Sequence, residues 1–471
     1  MNKPEQFKRT IAFLLNALIL VSLSLVYAYI WHVNYNTIII QPFLGKGNWL
    51  NIAIYLVLLY FFSRIYGANR VGYLTKSEVM YSQILSLLIV NVITYFQVSL
   101  IGRGLMAVLP FIVMTVVQVG IIAIWVFLSS YLYFSLYPPH RTLFIYGNEA
   151  GTMLEHKMST RSDKFRIEAS IHIREGLETI QNRILDYDAV IICDVKTQER
   201  NKLLKFCFDH SVRTYITPKL SDIIIRGANT MHLFDTPLLL CKNMGLTLEQ
   251  RFVKRALDLI LSLLILIVLS PVMAVTAVCI KVYDRGPVLF RQERCTIDGR
   301  IFKICKFRSM VTNAEEKGIA QLATEHDSRI TPVGRVIRKL RIDEIPQLFN
   351  VLSGNMSLVG PRPERPEFIE MYSKKIPEFS YRLKVKGGLT GYAQILGKYN
   401  TTAYDKLKLD LMYIENYSFS LDLKLLLMTF KVIFQRESTE GFSDVIVAER
   451  EDEAPEEPET KEEKSASTER R

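Results

Sequence analysis

Five long apolar stretches separate the polar segments of the chain. Four of them lie near its start, at 11–31, 50–63, 81–101 and 105–137. A helix needs about 20 apolar residues to cross a bilayer, so each stretch is near or above the required length except the second, which is marginal. The pattern predicts a membrane protein with an N-terminal four-helix transmembrane region at 1–140.

The basic residues of the short loops predict how these helices are oriented. Three precede the first stretch and three follow the second, whereas Lys46 and Arg103 stand alone in the other two loops and Arg141 follows the fourth stretch. Because cytoplasmic loops carry an excess of Lys and Arg, we predict a cytoplasmic N-terminus and a cytoplasmic exit. A cleaved signal peptide is the alternative for the first stretch, but no clear Ala-x-Ala site follows it.

The segment at 141–245 changes to short runs that are typical of β-strands, separated by charged helical segments. Strands that alternate with helices favour an α/β domain with a parallel sheet. The four runs lie at 142–146, 167–173, 189–193 and 213–216.

A glycine-containing turn follows the first of these runs. Gly147 matches the first glycine of a dinucleotide-binding fingerprint, but Glu149 stands where the second glycine is expected. A carboxylate at that position would repel a pyrophosphate, so the pattern argues against NAD binding. The role of the domain stays open at this point.

The fifth apolar stretch, 256–280, is long enough to span a bilayer but contains Ser270 and Pro271 near its middle. Proline removes a helical hydrogen bond and clashes with the preceding turn, which predicts a helix break there. Basic residues flank both ends, so both ends favour the cytoplasmic side. We therefore predict a re-entrant membrane helix over 254–283. An ordinary fifth crossing with a kink is the alternative.

Residues 283–436 are basic, aromatic and interrupted by prolines, which predicts a mixed helical or α+β domain at the cytoplasmic membrane face. Within it, 368–386 mixes aromatic and basic side chains as interfacial helices do. A nucleic-acid surface is the alternative for such a patch. The position after a membrane helix favours membrane lipid as the anionic partner, so no nucleic-acid partner is predicted.

Composition adds two constraints. The six cysteines show no Cys-x-x-Cys spacing, which predicts reduced thiols and argues against a zinc site and against secretion. The tail at 449–471 holds ten acidic and five basic residues and almost no apolar ones, so we predict disorder. The chain has a formal net charge of +11, and without the tail's −5 it carries +16. This charge suits anionic lipids and a phosphorylated substrate.

The candidate chemistry lies at Asp343 and Glu344, two adjacent carboxylates. Glu344 offers the hard oxygens that Mg²⁺ prefers when it bridges to substrate phosphates. Arg362 lies downstream between two prolines, which limit its backbone freedom. Such a cluster suits a highly anionic substrate. Four further cations occupy the preceding turns, namely Arg335, Arg338, Lys339 and Arg341.

The local pattern places Asp343 near the start of a helix. Pro346 suits a first helical turn and Gly354 the position just past the end, which predicts a helix of about two to three turns. Unpaired N–H groups and the positive dipole end favour an ionised carboxylate there. An ionised, fixed Asp can attack phosphorus and form an acyl-phosphate. The alternative is a simple N-cap beside a solvated helix face.

Several motifs in the second half of the chain resemble those of one known family. In their order they resemble the bacterial sugar transferase family, the monotopic phosphoglycosyl transferases that make polyprenyl-diphosphate-linked sugars. The likeness begins near Lys254 and continues to about residue 436. The motifs are KFRSM at 306–310, LRIDEIPQLFN at 340–350, MSLVGPRPE at 356–364, GLTGYAQ at 388–394 and LDLMY at 409–413.

The resemblance implies a phosphoglycosyl transferase domain over 251–436, a Rossmann-like cytosolic domain before it, and a multi-pass protein of the bacterial plasma (inner) membrane with its catalytic domain in the cytoplasm. It implies transfer of a hexose-1-phosphate from a UDP-hexose to polyprenyl (undecaprenyl) phosphate, with Mg²⁺ as cofactor and UMP as product. That reaction would be the first membrane step of capsule or exopolysaccharide synthesis. Homo-oligomer formation stays open.

The same resemblance, together with side-chain chemistry, assigns roles to residues. Asp343 is the expected nucleophile and Glu344 the expected Mg²⁺ ligand. Thr296 departs from the family pattern, which commonly has a glycine there, and this predicts an altered turn. The phosphate-binding candidates are Lys306, Arg308, Arg338, Arg341 and Arg362. The candidates for holding the lipid phosphate are Lys254, Arg255 and Asp258.

Two other functions are compatible with the sequence. A metal-dependent glycosyltransferase would pass only the sugar to a lipid acceptor and would release UDP. It ordinarily needs an Asp-x-Asp metal pair beside a nucleotide fold, and we expect no such triplet in the cytosolic part. A non-catalytic membrane scaffold or sensor of polysaccharide assembly would keep full biological activity after Asp343→Asn, whereas the transferase would lose nearly all of it.

Overall fold

The computed structural model describes most of the chain. The described residues form two compact units, Met1–Arg226 and Gly227–Arg471. The acidic tail predicted to be disordered, at 449–471, lies outside the described residues. The described residues are 7–39, 41–233, 235–241, 245–311, 327, 329–397 and 401–433.

The first unit begins with four long helices, each long and apolar enough to cross a membrane. The second helix has 21 residues, so it is longer than its marginal apolar run indicated. The predicted apolar helices are therefore confirmed, while their orientation in the membrane stays a prediction. They are α1 (Lys8–Ile30), α2 (Lys46–Tyr66), α3 (Lys76–Ile101) and α4 (Leu109–Leu136).

Uncharged polar side chains join these four helices in their interior. Asn51 Nδ2 donates to the Tyr27 hydroxyl at 2.8 Å. The Tyr55 hydroxyl donates to Asn91 Oδ1 at 2.8 Å and accepts from Gln118 Nε2 at 2.9 Å. Hydrogen bonds of this kind hold helices together where apolar surroundings give them no hydrophobic reason to associate.

A four-stranded parallel sheet follows, with the strand order β2-β1-β3-β4. All four predicted strands are present, so the α/β prediction is confirmed. Apolar side chains from β1 and β3 are fully buried beneath the helices. The strands are β1 (His140–Tyr146), β2 (Phe165–His172), β3 (Ala189–Cys193) and β4 (Arg213–Ile216). The helices are α5 (Glu149–Ser159), α6 (Leu177–Ile184), α7 (Thr197–Asp209) and α8 (Leu220–Arg226).

Gly147 directly follows β1, where two loops approach each other closely. A Cβ atom on residue 147 would lie 2.4 Å from the carbonyl oxygen of Asp194, which follows β3. This contact requires a glycine for packing alone. The glycine therefore needs no bound dinucleotide to account for it.

The second unit opens with an exposed antiparallel hairpin and one long helix. A second antiparallel hairpin and a set of short helices around a two-stranded parallel pair follow. The strands are β5 (Asn229–Leu233), β6 (Thr236–Leu240), β7 (Leu289–Cys295), β8 (Ile301–Phe307), β9 (Ser357–Val359) and β10 (Gly388–Thr390). The helices are α9 (Leu248–Asp284), α10 (Pro332–Lys339), α11 (Gln347–Leu352), α12 (Pro366–Lys375), α13 (Tyr392–Leu396), α14 (Ala403–Glu415) and α15 (Phe419–Ile433).

The long helix α9 passes through Pro271 without interruption of its helical conformation. The prediction that the helix breaks at Ser270 and Pro271 is therefore wrong. Pro271 has no N–H to donate to the Ile267 carbonyl four residues earlier. The Ser270 hydroxyl replaces that donor at 2.8 Å. One side-chain hydrogen bond thus satisfies the carbonyl that proline leaves open.

Candidate functional site

The candidate site is built where strand β8 meets the short helix α11. Asn350 joins them, because its Oδ1 accepts from the Cys305 N–H at 2.8 Å and its Nδ2 donates to the Lys303 carbonyl at 2.9 Å. Leu348 and Val351 of the same helix are fully buried. The amide of Asn350 fixes both elements, so side chains on β8 and before α11 have defined positions.

Asp343 and Glu344 lie in one 3₁₀ turn, Ile342–Glu344, which precedes α11. The helix itself begins only at Gln347, has six residues and takes Pro346 as its N-cap. The predicted helix of two to three turns starting near Asp343 is therefore wrong. A separate 3₁₀ turn forms first, and Ile345 and Pro346 connect it to the helix with right-handed helical backbone angles.

The Glu344 carboxylate lies among three cationic side chains. Arg362 Nη2 donates to it at 2.9 Å, Lys306 Nζ lies at 3.5 Å and Arg341 Nη1 at 3.6 Å. Burial opposes ionisation of Glu344, but these cations, Arg362 foremost, hold its pKa well below the usual range. Glu344 in turn raises the pKa of the Arg362 guanidinium. Glu344 is thus a permanently ionised carboxylate with bound cations.

Asp343 has a different electrostatic environment, although it is the next residue. It is half-buried. Burial and the negative charge of Glu344 raise its pKa to about 6, against the opposing attraction of Lys306, Arg338 and Arg362. The expectation that a helix start favours its ionised form is therefore wrong, because desolvation and a like charge outweigh the dipole. Its carboxylate is nonetheless mostly ionised at neutral pH.

The remaining phosphate-binding candidates are distributed around this turn. Lys306 extends from β8, and burial lowers the pKa of its ammonium. Arg338 lies on α10 and acts on Asp343 electrostatically. Arg308 is buried at the end of β8, and its guanidinium lies where a Cβ of Gly286 would be. Arg308 therefore lies beside the end of α9, while the other candidates surround Asp343 and Glu344.

The three candidates for the lipid phosphate have protein partners. Lys254 is buried and its Nζ lies 2.5 Å from Asp422 Oδ2. Arg255 donates to two carbonyls at the end of α11. Asp258 is buried and accepts from the Ser357 hydroxyl and the Leu358 N–H. These contacts fix the first turns of α9 on the domain, and the lipid-phosphate role stays a prediction.

A buried ion pair behind Arg362 was not predicted from the sequence. Arg382 Nη2 donates to the Arg362 carbonyl at 3.0 Å and lies 2.8 Å from Asp410 Oδ2. Its other nitrogen lies 3.6 Å from Glu364. Burial raises the pKa of Asp410 to about 6, although Arg382 opposes this shift. The motif PRPE and the motif LDLMY both enter this cluster, which was the available sequence signal.

The Thr296 departure also has a structural account. Its hydroxyl donates to the Asn355 carbonyl at 2.9 Å and accepts from the Gly387 N–H at 3.2 Å. A glycine at this position lacks the hydroxyl. Thr296 therefore joins two loops of the domain where the family commonly has no side chain.

An Asp-x-Asp triplet does occur in the α/β domain, at Asp186 and Asp188. Asp188 Oδ2 accepts from the backbone N–H of Arg141 at 3.2 Å. The Asp186 carbonyl accepts from the Arg141 guanidinium. Both residues bind Arg141 where the two inner strands, β1 and β3, begin, so this triplet has a structural role in that domain.

The carboxylates of the site are suitable ligands for a magnesium ion. Mg²⁺ is commonly held by one or two carboxylates together with substrate phosphates and water. Asp343 and Glu344 provide two adjacent carboxylates. Within the described ranges no group of three His, Cys, Asp or Glu side chains is arranged to hold a metal ion. Further oxygen ligands would have to come from substrate and water.

Comparison with known proteins gives matches to the second half of the chain. A family model described as bacterial sugar transferase matches residues 249–436. The chain is 38% identical over 257 residues to the UDP-N-acetylgalactosamine-undecaprenyl-phosphate N-acetylgalactosaminephosphotransferase of Aeromonas hydrophila, across 52% of this chain and 59% of that protein. It is 40% identical over 210 residues to the UDP-glucose:undecaprenyl-phosphate glucose-1-phosphate transferase of Escherichia coli (strain K12), across 44% and 43%.

A shorter relative is matched over most of its length. The uncharacterized sugar transferase EpsL of Bacillus subtilis (strain 168) is 39% identical over 184 residues, which are 39% of this chain and 88% of EpsL. The chain spans about half the length of the Aeromonas and Escherichia relatives. The residues that the family model matches include Asp343 and Glu344.

Proposed function

The chain belongs to the bacterial sugar transferase family, and from this membership we propose that it transfers a hexose-1-phosphate from a UDP-sugar to polyprenyl (undecaprenyl) phosphate. The observation that carries the proposal is the Asp343–Glu344 turn among Lys306, Arg341 and Arg362. Two relatives whose names state this kind of transfer support it. The proposed location is the bacterial plasma membrane, at the start of capsule or exopolysaccharide synthesis.

In the first proposed step, an Asp343 carboxylate oxygen attacks the phosphorus that carries the sugar. A new P–O bond forms to Asp343, the P–O bond to UMP breaks, and UMP leaves with that electron pair. Arg362 and Lys306 contact Glu344, the residue next to the reacting Asp343, so their positive charges are available to the diphosphate oxygens. Their role is to stabilise the charge that develops on those oxygens.

In the second proposed step, an oxygen of the polyprenyl phosphate attacks the same phosphorus. The bond to Asp343 breaks, and the aspartate carboxylate is regenerated as the diphosphate linkage forms. When bound, Mg²⁺ would neutralise charge on the phosphate oxygens, and Glu344 is the residue to hold it. Arg362 and Lys306, which contact Glu344, are the proposed phosphate-binding cations.

The re-entrant arrangement of α9 belongs to the same proposal. Near its start, Arg255 donates to the Val351 carbonyl at 2.6 Å. Near its end, Ile280 packs with Phe307 and Ile337 of the same domain. A straight helix would separate Arg255 from Ile280 by about 37 Å. Contact of both flanks with one domain supports a helix that enters the membrane and returns.

The middle of α9 has the surface that this arrangement requires. Ile260, Leu263, Ile267 and Val275 are each more than half exposed and apolar. Only 11% of the most apolar window of the helix is buried against the protein. Exposed apolar surface of this extent suits contact with lipid. The flanks contact the domain through Arg255 at one end and Ile280 at the other.

Intact-protein mass spectrometry tests the proposed chemistry. The full-length, detergent-solubilised protein is exposed briefly to Mg²⁺ and a series of UDP-sugars without acceptor lipid. We expect a mass gain of one hexose phosphate with one donor, and no gain in Asp343→Asn. The surface variant Glu370→Gln, whose side chain is 73% exposed, is the control and should gain the same mass.

The nucleotide product separates the alternatives. With acceptor lipid present, release of UMP would indicate transfer of the phosphosugar, whereas release of UDP would indicate a conventional glycosyltransferase. No adduct with any donor, combined with UDP release, would contradict the two-step mechanism. Unchanged polysaccharide assembly in cells that carry Asp343→Asn would instead favour the non-catalytic scaffold.

A further inference from the structure

Two cationic side chains converge over Gly354, away from Asp343 and Glu344. Gly354 follows α11 and has a φ angle of +86°. At the point where a Cβ of residue 354 would lie, the nearest groups are the Arg255 guanidinium at 3.6 Å and Lys386 Nζ at 3.8 Å. The two side chains come from separate elements, α9 and the loop before β10. Glycine leaves the space between them open.

Among the described residues, no carboxylate lies within ion-pair distance of either cation. Arg255 donates to the carbonyls of Val351 and Leu352, which are neutral acceptors, so its charge remains and three of its five N–H donors are unused. No hydrogen bond or ion pair joins Lys386 Nζ to another described residue. Burial, and then the charge of Arg255, lowers the pKa of Lys386.

The charged side chains next to Arg255 and Lys386 bind other residues. Lys254 pairs with Asp422. Asp258, the acid whose charge acts on Lys386, accepts from the Ser357 hydroxyl and the Leu358 N–H. A half-buried lysine beside an arginine, with its nearest acid engaged elsewhere, is an electrostatic arrangement that an anion would stabilise.

A phosphate group matches the geometry of the pair. Both nitrogens lie within 4 Å of one point. Charge-assisted bonds to phosphate oxygens are about 2.8 Å long, so a single phosphate placed outside Gly354 can accept from both cations. Apolar side chains of α9, Leu259, Ile260 and Leu263, are exposed directly beyond Arg255. A ligand with a phosphate head and an apolar tail therefore fits this surface.

We propose that Arg255 and Lys386 bind the phosphate of an anionic phospholipid of the surrounding bilayer. For Arg255 this replaces the predicted contact with the phosphate of the acceptor lipid. The reason is distance, because α11 and the preceding turn separate Gly354 from Asp343 by roughly 10 Å or more. An attacking phosphate must come within about 3.5 Å of the reacting phosphorus. The site would fix the depth of α9 at the headgroup level, and this inference is independent of the proposed transfer reaction.

Lipid retention by the full-length protein tests the site without any sugar donor. The protein is equilibrated with phosphatidylglycerol in mixed micelles, and bound lipid is counted by native mass spectrometry. Lys386→Gln should lower the affinity for phosphatidylglycerol about fivefold, the effect of removing one headgroup-level cation. Lys386→Arg should restore it. Lys205→Gln, an equal charge change at an exposed lysine of the first unit, should leave it unchanged.

Competing lipids identify the source of the phosphate. Phosphatidylcholine should compete poorly, because its headgroup has no net charge. Equal retention of phosphatidylglycerol by the wild type and Lys386→Gln would overturn the proposal. So would a loss of undecaprenyl phosphate binding with unchanged phosphatidylglycerol binding, since that result would assign the site to the acceptor. Failure of the sugar-phosphate adduct to form would not affect these measurements.

Discussion

Asp343 and Glu344 are adjacent in the sequence but ionise under opposite influences. Burial and the charge of Glu344 raise the pKa of Asp343 to about 6. Arg362 and Lys306 hold the pKa of Glu344 low despite burial. The difference assigns the permanent charge to Glu344 and leaves Asp343 as the residue whose protonation changes near neutral pH. Asp343 is also the proposed nucleophile, so its ionisation should control the first step.

The rate of the first step should therefore follow the ionised fraction of Asp343. Above pH 6 the rate should be constant, and below pH 6 it should fall about tenfold per pH unit, because only the carboxylate attacks. The measurement is the burst of UMP release at several pH values with saturating UDP-sugar and no acceptor. A rate that stays constant down to pH 4.5 would contradict the assignment of Asp343.

Glu344→Gln should move that pH dependence to lower pH. The variant removes the negative charge that raises the Asp343 pKa and leaves Arg362 and Lys306 available to Asp343. We expect the midpoint to fall below 6 and the maximal rate to fall as well, with more Mg²⁺ needed for half-maximal activity. The same UMP burst measures it, with Glu370→Gln as the control. A midpoint at or above 6 would refute the coupling of the two carboxylates.

Sequence motifs predict which residues of the site lie together when the motifs themselves contain them. The turn with Asp343 and Glu344, and Arg362 between its prolines, were predicted as one cluster, and the structure brings them together. Motifs were insufficient for long-range partners. Lys254 was predicted to bind a lipid phosphate, but its partner Asp422 lies 168 residues away, and no local pattern indicates such a pair.

At the scale of elements, a buried ion pair positions the loop that carries Arg362. Arg382 and Asp410 are 3% and 1% exposed, and Arg382 also donates to the Arg362 carbonyl. Breaking a buried pair from one side leaves an uncompensated charge and costs about 3–5 kcal/mol. Arg382→Met should therefore lower the free energy of unfolding by about that amount, since it leaves the buried Asp410 without its cation, whereas Glu364 keeps Arg294 at 3.7 Å.

Asp410→Asn should be milder than Arg382→Met, because Arg382 keeps Glu364 at 3.6 Å. Both variants should slow UMP release, because Arg382→Met removes the donor to the Arg362 carbonyl and Asp410→Asn removes the charge that positions that donor. The measurement is the unfolding midpoint of the full-length protein in detergent together with the UMP burst. Lys374→Gln, which removes an exposed ion pair, is the control and should change neither. Equal destabilisation by the two core variants would contradict the shared role of Arg382.

Elements with a strong periodic pattern were predicted well. The strand Ala189–Cys193 has the predicted bounds, because a run of five apolar residues between charged segments fits only a buried strand of that length. The short helix α11 was predicted too long. Its start depends on a separate turn before Pro346, and local preferences for proline do not distinguish these two arrangements.

At the scale of the whole molecule, hydropathy located all five long apolar helices. It did not indicate the hydrogen bonds among Tyr55, Asn91 and Gln118, because uncharged polar residues barely change the mean hydropathy of a long window. It also could not decide whether α9 crosses the membrane or returns. Length and composition are the same for both arrangements, and only contacts of the two flanks with one domain favour the return.

The sidedness of these flanks gives the sharpest whole-molecule prediction. Glu249→Cys and Arg291→Cys place single thiols before and after the apolar part of α9, in a background without the six native cysteines. With a re-entrant helix, both thiols should react with a membrane-impermeant maleimide only in inverted vesicles. Lys76→Cys, in a loop predicted to be cytoplasmic, should behave in the same way, and Lys46→Cys should react only in spheroplasts.

An ordinary fifth crossing gives a different labelling pattern from the same four variants. Glu249→Cys and Arg291→Cys would then react from opposite sides, and Asp343 would face the outside of the cell, where nucleotide sugars are absent. Pro271→Leu in each background adds a second comparison. It restores the N–H donor to the Ile267 carbonyl, so part of the Arg291→Cys thiol should become reactive in spheroplasts if the proline is what returns the chain.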